Sequence, residues 1–383
     1  MRRLWADHVT WTRSYVTAAT AGTPVSERLT PLAGGVVARI GTAVGGVISL
    51  LGDGDAAAVR LLKNQEDLGG AIIPFYGEAA GSALTDLLKE HILIAVELIA
   101  AAKNKDDKKF KEEDARWTEN AEKIADLLSG ANPNWPKRDV VDLLGQHLSL
   151  TKQEVTARLQ HNWAADVDAY DQILTEILTV ADVLVDGIIK QFPQRVSSGA
   201  ANGAPWSLRA ALRRLWADHV MWTRSYVVAA LIDAPDAEAA AGRLMKNQED
   251  IGGAIVPFYG DEAGKSLTDL LKQHITIAVA LIDAVKTGDK QKVAAEDAKW
   301  TQNAGAIAEL LSGANPHWPR KDVVDLLGQH LTLTKQEVTA RHEHRWEADV
   351  EAFDQIFTEI LTVADVLSDG IAKQFPERFG GRR

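Results

Sequence analysis

Apolar positions recur at helical spacing along almost the whole of this chain. Leu4–Ala19 predicts a helix with Trp5, His8, Thr12, Tyr15 and Val16 on one face and Asp7 pointing out. Arg60–Phe75 predicts a second, with Leu61, Leu68, Ile72 and Phe75 at its apolar centre, Asn64 and Gln65 flanking it and Asp67 at the boundary. Pro74 and Gly77 bring that helix to its end. Ala83–Ala102 carries the clearest stripe, Leu84, Leu87, Leu88, His91, Ala95 and Leu98, followed by a charged connection over Lys103–Glu113. In Asp114–Ser129, Trp117, Asn120, Ile124, Leu127 and Leu128 face inward, and Gly130 is the expected C-cap before a turn running to Pro136. Asp139–Leu150 predicts a short helix with Val140, Leu143, Leu144 and His147 inward. The capping box Thr151-Lys152-Gln153-Glu154 predicts a fresh helix after it. A long last helix spans Ala164–Gln191 with the stripe Val167, Tyr170, Leu174, Leu178, Ala181, Val185 and Ile188, and Asp171 and Asp182 beside it. No stretch alternates like a strand, so the expected fold class is all-α.

The pattern is written twice. Leu62–Phe192 aligns with Met245–Phe375 at a constant shift, as in His91 with His274, Trp117 with Trp300 and Asp171 with Asp354. The first helix also recurs, His8 matching His219. The repeat is too long for a solenoid and predicts two tandem up-and-down helical bundles, Met1–Val196 and Pro205–Arg383. The small-residue stretch 197–204 is the expected linker, and a pseudo-two-fold relation of the two bundles the expected arrangement.

Only the first copy has an insertion, at about 21–55. Its segment 32–51 is apolar and glycine-rich, with small-xxx-small spacing from Gly41 to Gly45. Arg39, the glycines and the lack of a counterpart in the second copy weigh against a membrane span. They favour a segment that covers the bundle or mediates self-association.

Composition narrows the chemistry. The 383 residues contain no cysteine, which excludes disulfides, thiolate metal sites and cysteine nucleophiles. A formal charge of −11 opposes sequence-independent nucleic-acid binding. Met1-Arg2-Arg3 leads directly into the first helix without an apolar leader, so a cytoplasmic location is expected. There is no Gly-x-x-x-x-Gly-Lys-Ser/Thr loop and no Gly-x-Ser-x-Gly elbow.

What remains is histidine. His8, His91 and His147, and in the second copy His219, His274 and His330, each sit on an apolar helical face. Such positions converge inside a bundle. Asp67, Asp171 and Asp182, with Asp250, Asp354 and Asp365, are the candidate acids for a buried three-histidine/carboxylate site in each copy. Zinc, iron, copper or manganese would suit such donors. The Glu-x-x-His signature of di-iron bundles is missing: Leu88 and Leu144 stand three before His91 and His147. A haem between His8 and His91, walled by tryptophan, ranks below a metal ion. Alternatively, the histidines are hydrogen-bonded core groups of a structural or assembly protein, and Asn64, Gln65, Glu66, Asp67 and Arg13 form a buried network that fixes helix register. An enzyme acting on apolar substrates is a third reading, with no reaction specified. His161, His317, His342 and His344 are expected at the surface.

The strings Leu4-Trp5-Ala6-Asp7-His8-Val9, Trp11-Thr12-Arg13, Lys63-Asn64-Gln65-Glu66-Asp67, Pro74-Phe75-Tyr76-Gly77, Leu87-Leu88-Lys89-Glu90-His91-Ile92 and Ala131-Asn132-Pro133-Asn134-Trp135-Pro136 resemble a family of bacterial all-helical proteins, usually single-copy and without an established activity. The resemblance covers nearly the whole chain in two passes, outside the insertion and linker. It implies the domain division and a tandem duplication, and it brings no catalytic residues.

Overall fold

A computed structural model describes residues 1–21, 52–196 and 205–379. Residues 22–51 of the insertion, with its apolar segment 32–51, and the linker 197–204 lie outside the described residues. The protein is all-α, and the chain divides into two compact units, Met1–Ser197 and Ser198–Arg383.

The first unit contains α1 (Arg2–Thr20), α2 (Asp53–Tyr76), α3 (Glu78–Asn104), α4 (Asp107–Ala131), α5 (Lys137–Leu159) and α6 (Trp163–Gln191). Each helix packs on its neighbours in sequence, and α6 returns to α1 to close the bundle. The second unit repeats this with α7 (Trp206–Leu231), α8 (Ala237–Thr287), α9 (Lys290–Ala314), α10 (Arg320–His342) and α11 (Trp346–Gln374), then a 3-10 turn, Pro376–Phe379. Here α8 stands for α2 and α3 together. Its backbone breaks at Gly260, φ 83°, as the first unit breaks at Gly77, φ 85°. That backbone conformation costs glycine little and other residues much, so a single residue turns the chain between two long helices.

α2 and α3 cross at glycines. A Cβ on Gly69 would meet Gly81 O at 2.5 Å and Thr85 Oγ1 at 2.0 Å. Gly252 and Gly264 make the same approach in the second unit.

Several local expectations are corrected. The charged connection shrinks to Lys105-Asp106, because α3 runs to a left-handed cap at Lys105 (φ 56°) and Asp106 caps α4 through Lys109 N at 3.0 Å. Gly130 lies inside α4; the helix ends at Asn132, whose Oδ1 accepts from Asn134 N at 2.8 Å. Pro74 likewise lies inside α2. The capping box at Thr151 does not open a helix, and α5 runs through it unbroken. Thr151 Oγ1 donates back to His147 O at 2.9 Å, and Glu154 turns inward to Arg13 instead of capping Thr151. Two buried polar partners outcompete a local cap, since leaving Arg13 uncompensated in the core would cost more.

α1 is buried nearly all round. Asp7, expected outside, is 3% exposed and accepts from Arg3 Nε at 2.8 Å, with Arg60 Nη2 3.7 Å away. α2, α5 and α6 all pack against α1. The stripe of α6 is correct at Tyr170, Leu174, Ala181 and Ile188, but the buried face extends to Asp166, Ile173, Ile177, Val180 and Leu184, while Val167, Leu178 and Val185 are only half-buried.

Candidate functional site

Three neighbouring helices deliver the histidines to one place. His8 on α1, His91 on α3 and His147 on α5 are 1%, 4% and 4% exposed. The ring centroids of His8 and His147 are 5.5 Å apart, and those of His91 and His147 are 6.4 Å apart. Trp5 abuts His8 edge-on at 5.7 Å, and Trp117 lies 5.0 Å from His91. The result is a column of five rings, Trp5, His8, His147, His91 and Trp117, through the core. The second unit builds the same column from Trp216, His219, His330, His274 and Trp300, with spacings of 5.8, 5.6, 6.4 and 5.1 Å.

Each histidine is oriented by a different neighbour. Asn120 Oδ1 lies 2.9 Å from His91 Nδ1, while its Nδ2 donates to Leu87 O at 3.0 Å. That amide orientation makes His91 Nδ1 the donor and leaves Nε2 as the basic nitrogen. Glu176 Oε2 on α6 lies 3.2 Å from His147 Nδ1, with the same consequence for His147. Gln65 approaches His8, but Nδ1 of His8 has no hydrogen bond of ordinary geometry. In the second unit Gln248 Nε2 comes within 3.3 Å of His219 Nδ1, while also donating to Leu244 O at 2.7 Å and Asn247 Oδ1 at 3.1 Å. Two N–H groups facing three acceptors leave the histidine as the weakest claim.

Burial pushes His8 well below the ordinary imidazole value, and the neighbouring His147 and His91 lower it further. Burial, then His147, pushes His91 down to about 3. His219 and His274 follow the same pattern. These rings are therefore neutral at physiological pH, the form in which imidazole ligates metals.

Several buried polar atoms around the column have no protein partner: the indole nitrogens of Trp5 and Trp117, Gln65 Oε1 and Glu176 Oε1. Their counterparts on Trp216, Trp300, Gln248 and Glu359 repeat this in the second unit. Buried polar groups are seldom left unpaired, so each of these atoms, the same in both units, is a candidate point of attachment for water or a ligand atom.

The acid at the column is Glu176 (Glu359 in the second unit). Asp67 accepts from Lys63 at 3.0 Å on the surface, as Asp250 does from Lys246 at 2.6 Å. Asp182 pairs with Arg2, and Asp365 with Arg213. Asp171 and Asp354 are half-buried, each accepting from a threonine hydroxyl at its backbone carbonyl. Among the described residues, no three His, Asp or Glu side chains are already grouped as metal ligands.

A second buried polar centre was not visible in the sequence. Arg13 donates to Glu154 at 2.7 Å and to both oxygens of Asp166 at 3.0 and 2.9 Å, and lies 4.6 Å over the Tyr170 ring. Arg158 Nη1 adds a bond to Asp166 at 2.8 Å. Arg224, Glu337, Asp349 and Arg341 reproduce it. The register network expected from Asn64 to Asp67 is therefore divided. Asn64 and Gln65 are fully buried, Asn64 donating to Leu4 O at 2.9 Å, while Glu66 pairs with Lys89 at the surface. Arg13 belongs to the second centre. His161, His317, His342 and His344 are exposed.

No described helix is long and apolar enough to cross a membrane. Comparison with protein-family models, with curated proteins and with solved structures found no match.

Proposed function

We propose that each unit is a helical-bundle binding module for a divalent transition metal, or a small polar ligand of similar size, at the histidine column. The observation that supports it is the close approach of His8 and His147 with Glu176 behind His147, repeated in the second unit. With metal–nitrogen bonds of about 2.1 Å, ring centroids of two histidines on one tetrahedral ion stand roughly 5.2 Å apart. The 5.5 Å of His8 and His147 fits that closely, whereas the 6.4 Å of His91 and His147 is about 1 Å too long and needs a side-chain adjustment. Glu176 then plays the orienting role that a carboxylate plays behind a ligating imidazole. A haem between His8 and His91 is disfavoured because His147 stands within ring contact of both.

Elemental analysis of the purified chain, followed by cobalt titration monitored by its visible absorption, tests the reading. One ion per unit is expected, with loss of the absorption in the double variant His147→Ala, His330→Ala. Metal-free protein that gains no cobalt bands and keeps its stability in chelator would sink it. That outcome supports the structural reading, in which the histidines are core hydrogen-bonding groups, a reading favoured by the bonds of His91 and His147 to Asn120 and Glu176.

A further inference from the structure

Against the histidine column of the first unit lies a cavity of about 20 Å³. Every lining residue is apolar in character, among them Trp5, Leu84, Ile124, Trp135, Leu144 and Val180. Trp5 is also the end ring of the column, and Leu144 precedes His147 by three residues on α5, so cavity and column share a wall.

Size and lining together select the occupant. A single water needs roughly 10–15 Å³ of such space, but also two or more polar partners. Trp135 Nε1 is engaged with Val183 O at 3.2 Å, and Trp5 Nε1 alone is unpartnered. One donor does not hold a water in an otherwise apolar chamber, and apolar cavities stay dry. Benzene-sized guests need a cavity on the order of 150 Å³, so aromatic ligands and longer hydrocarbons are excluded. The smallest nonpolar guests remain, diatomic gases among them, held by dispersion contacts with the surrounding methyl groups and rings.

We propose that this chamber binds a nonpolar diatomic gas, dioxygen being the accessible probe, and places it beside the histidines. That the gas serves the histidines rests on the metal reading above; that it binds does not. The test uses the metal-free full chain with labelled methyl groups under dioxygen pressure, and reads paramagnetic relaxation of each methyl signal. The methyls of Leu84, Leu144 and Val180 should relax several-fold more than those of Val16 and Ile173, which are as deeply buried but do not line the cavity. Val180→Ile, which adds one methylene to the wall, should abolish the excess without loss of helicity, and Val140→Ile does so from another wall if the first variant unfolds. Relaxation at the lining methyls no greater than at Val16 and Ile173 overturns the proposal, as does an excess that survives both filling variants. Since no metal is present, failure here leaves the histidine reading standing, and absence of metal binding leaves this one standing.

Discussion

Replacing His91 by phenylalanine tests the buried imidazole directly. An aromatic ring of slightly larger size is kept and the titrating group is lost. At pH 7 the variant should be destabilised by about 1–3 kcal/mol, because Asn120 Oδ1 loses its donor in the core. The wild-type ring, held down to about 3 against an ordinary 6.5, binds fewer protons folded than unfolded between those values. Its stabilisation is complete above pH 6.5 and is lost as pH falls toward 3, so acidification from pH 7 to pH 5 costs the wild type on the order of 2 kcal/mol at this ring. The variant does not suffer that loss, and its deficit should shrink by the same amount. Total stability would conceal this. Glu154 is pushed up to about 7, by burial first and then by Asp166, against the opposing pull of Arg13 and Arg158. Its contribution runs the other way, growing as pH falls from 7 toward 4.5. Urea denaturation of wild type and variant at both pH values isolates the histidine. A deficit that is the same at pH 7 and pH 5 would refute the argument that burial keeps His91 neutral.

Arg13→Met should cost about 3–5 kcal/mol in urea denaturation, because Glu154 and Asp166 stay buried without their shared partner. Gly187→Ala should destabilise by about 1–3 kcal/mol, since its Cβ would stand 2.0 Å from Trp135 Nε1 and disturb the bond to Val183 O. Gly145→Ala, by contrast, has nothing within 4 Å of the new methyl and sits on an exposed turn of α5, so it should stabilise by about 0.5–1 kcal/mol; thermal melts compare the two directly.

How much was legible depends on the range of the interaction concerned. The helices with long one-sided stripes, such as Ala83–Ala102, were readable because apolar spacing and burial coincide there. The failures lie where polar residues turn inward. Glu154, Asp166 and Glu176 are polar by type, yet each is buried with a partner on another helix: Arg13, Arg13 and Arg158, and His147; Asp7 is buried with Arg3 one turn away and Arg60 on α2. The stripe of α6 was right at Tyr170, Leu174, Ala181 and Ile188 and went astray at Val167, Leu178 and Val185 for the same reason. Counting Leu178 and Val185 inward places Asp171 nearer the core, whereas the spacing Tyr170, Ile173, Ile177, Val180 and Leu184 puts Asp166 and Glu176 there. That second spacing was present in the sequence and was the available signal.

By itself, then, the amino-acid order determined the all-helical character, the twofold repetition, the exclusion of thiol chemistry and the presence of three histidines on apolar faces. These follow from local periodicity and composition, which need no knowledge of neighbours. Only the tertiary structure decided that the three rings stack in one column with His147 at its centre, that Glu176 rather than an aspartate stands behind it, and that Thr151 continues a helix instead of starting one. Each of these outcomes depends on which buried charge or amide finds a partner across the bundle. The desolvation cost of an unpartnered group exceeds the small local preferences that sequence patterns record.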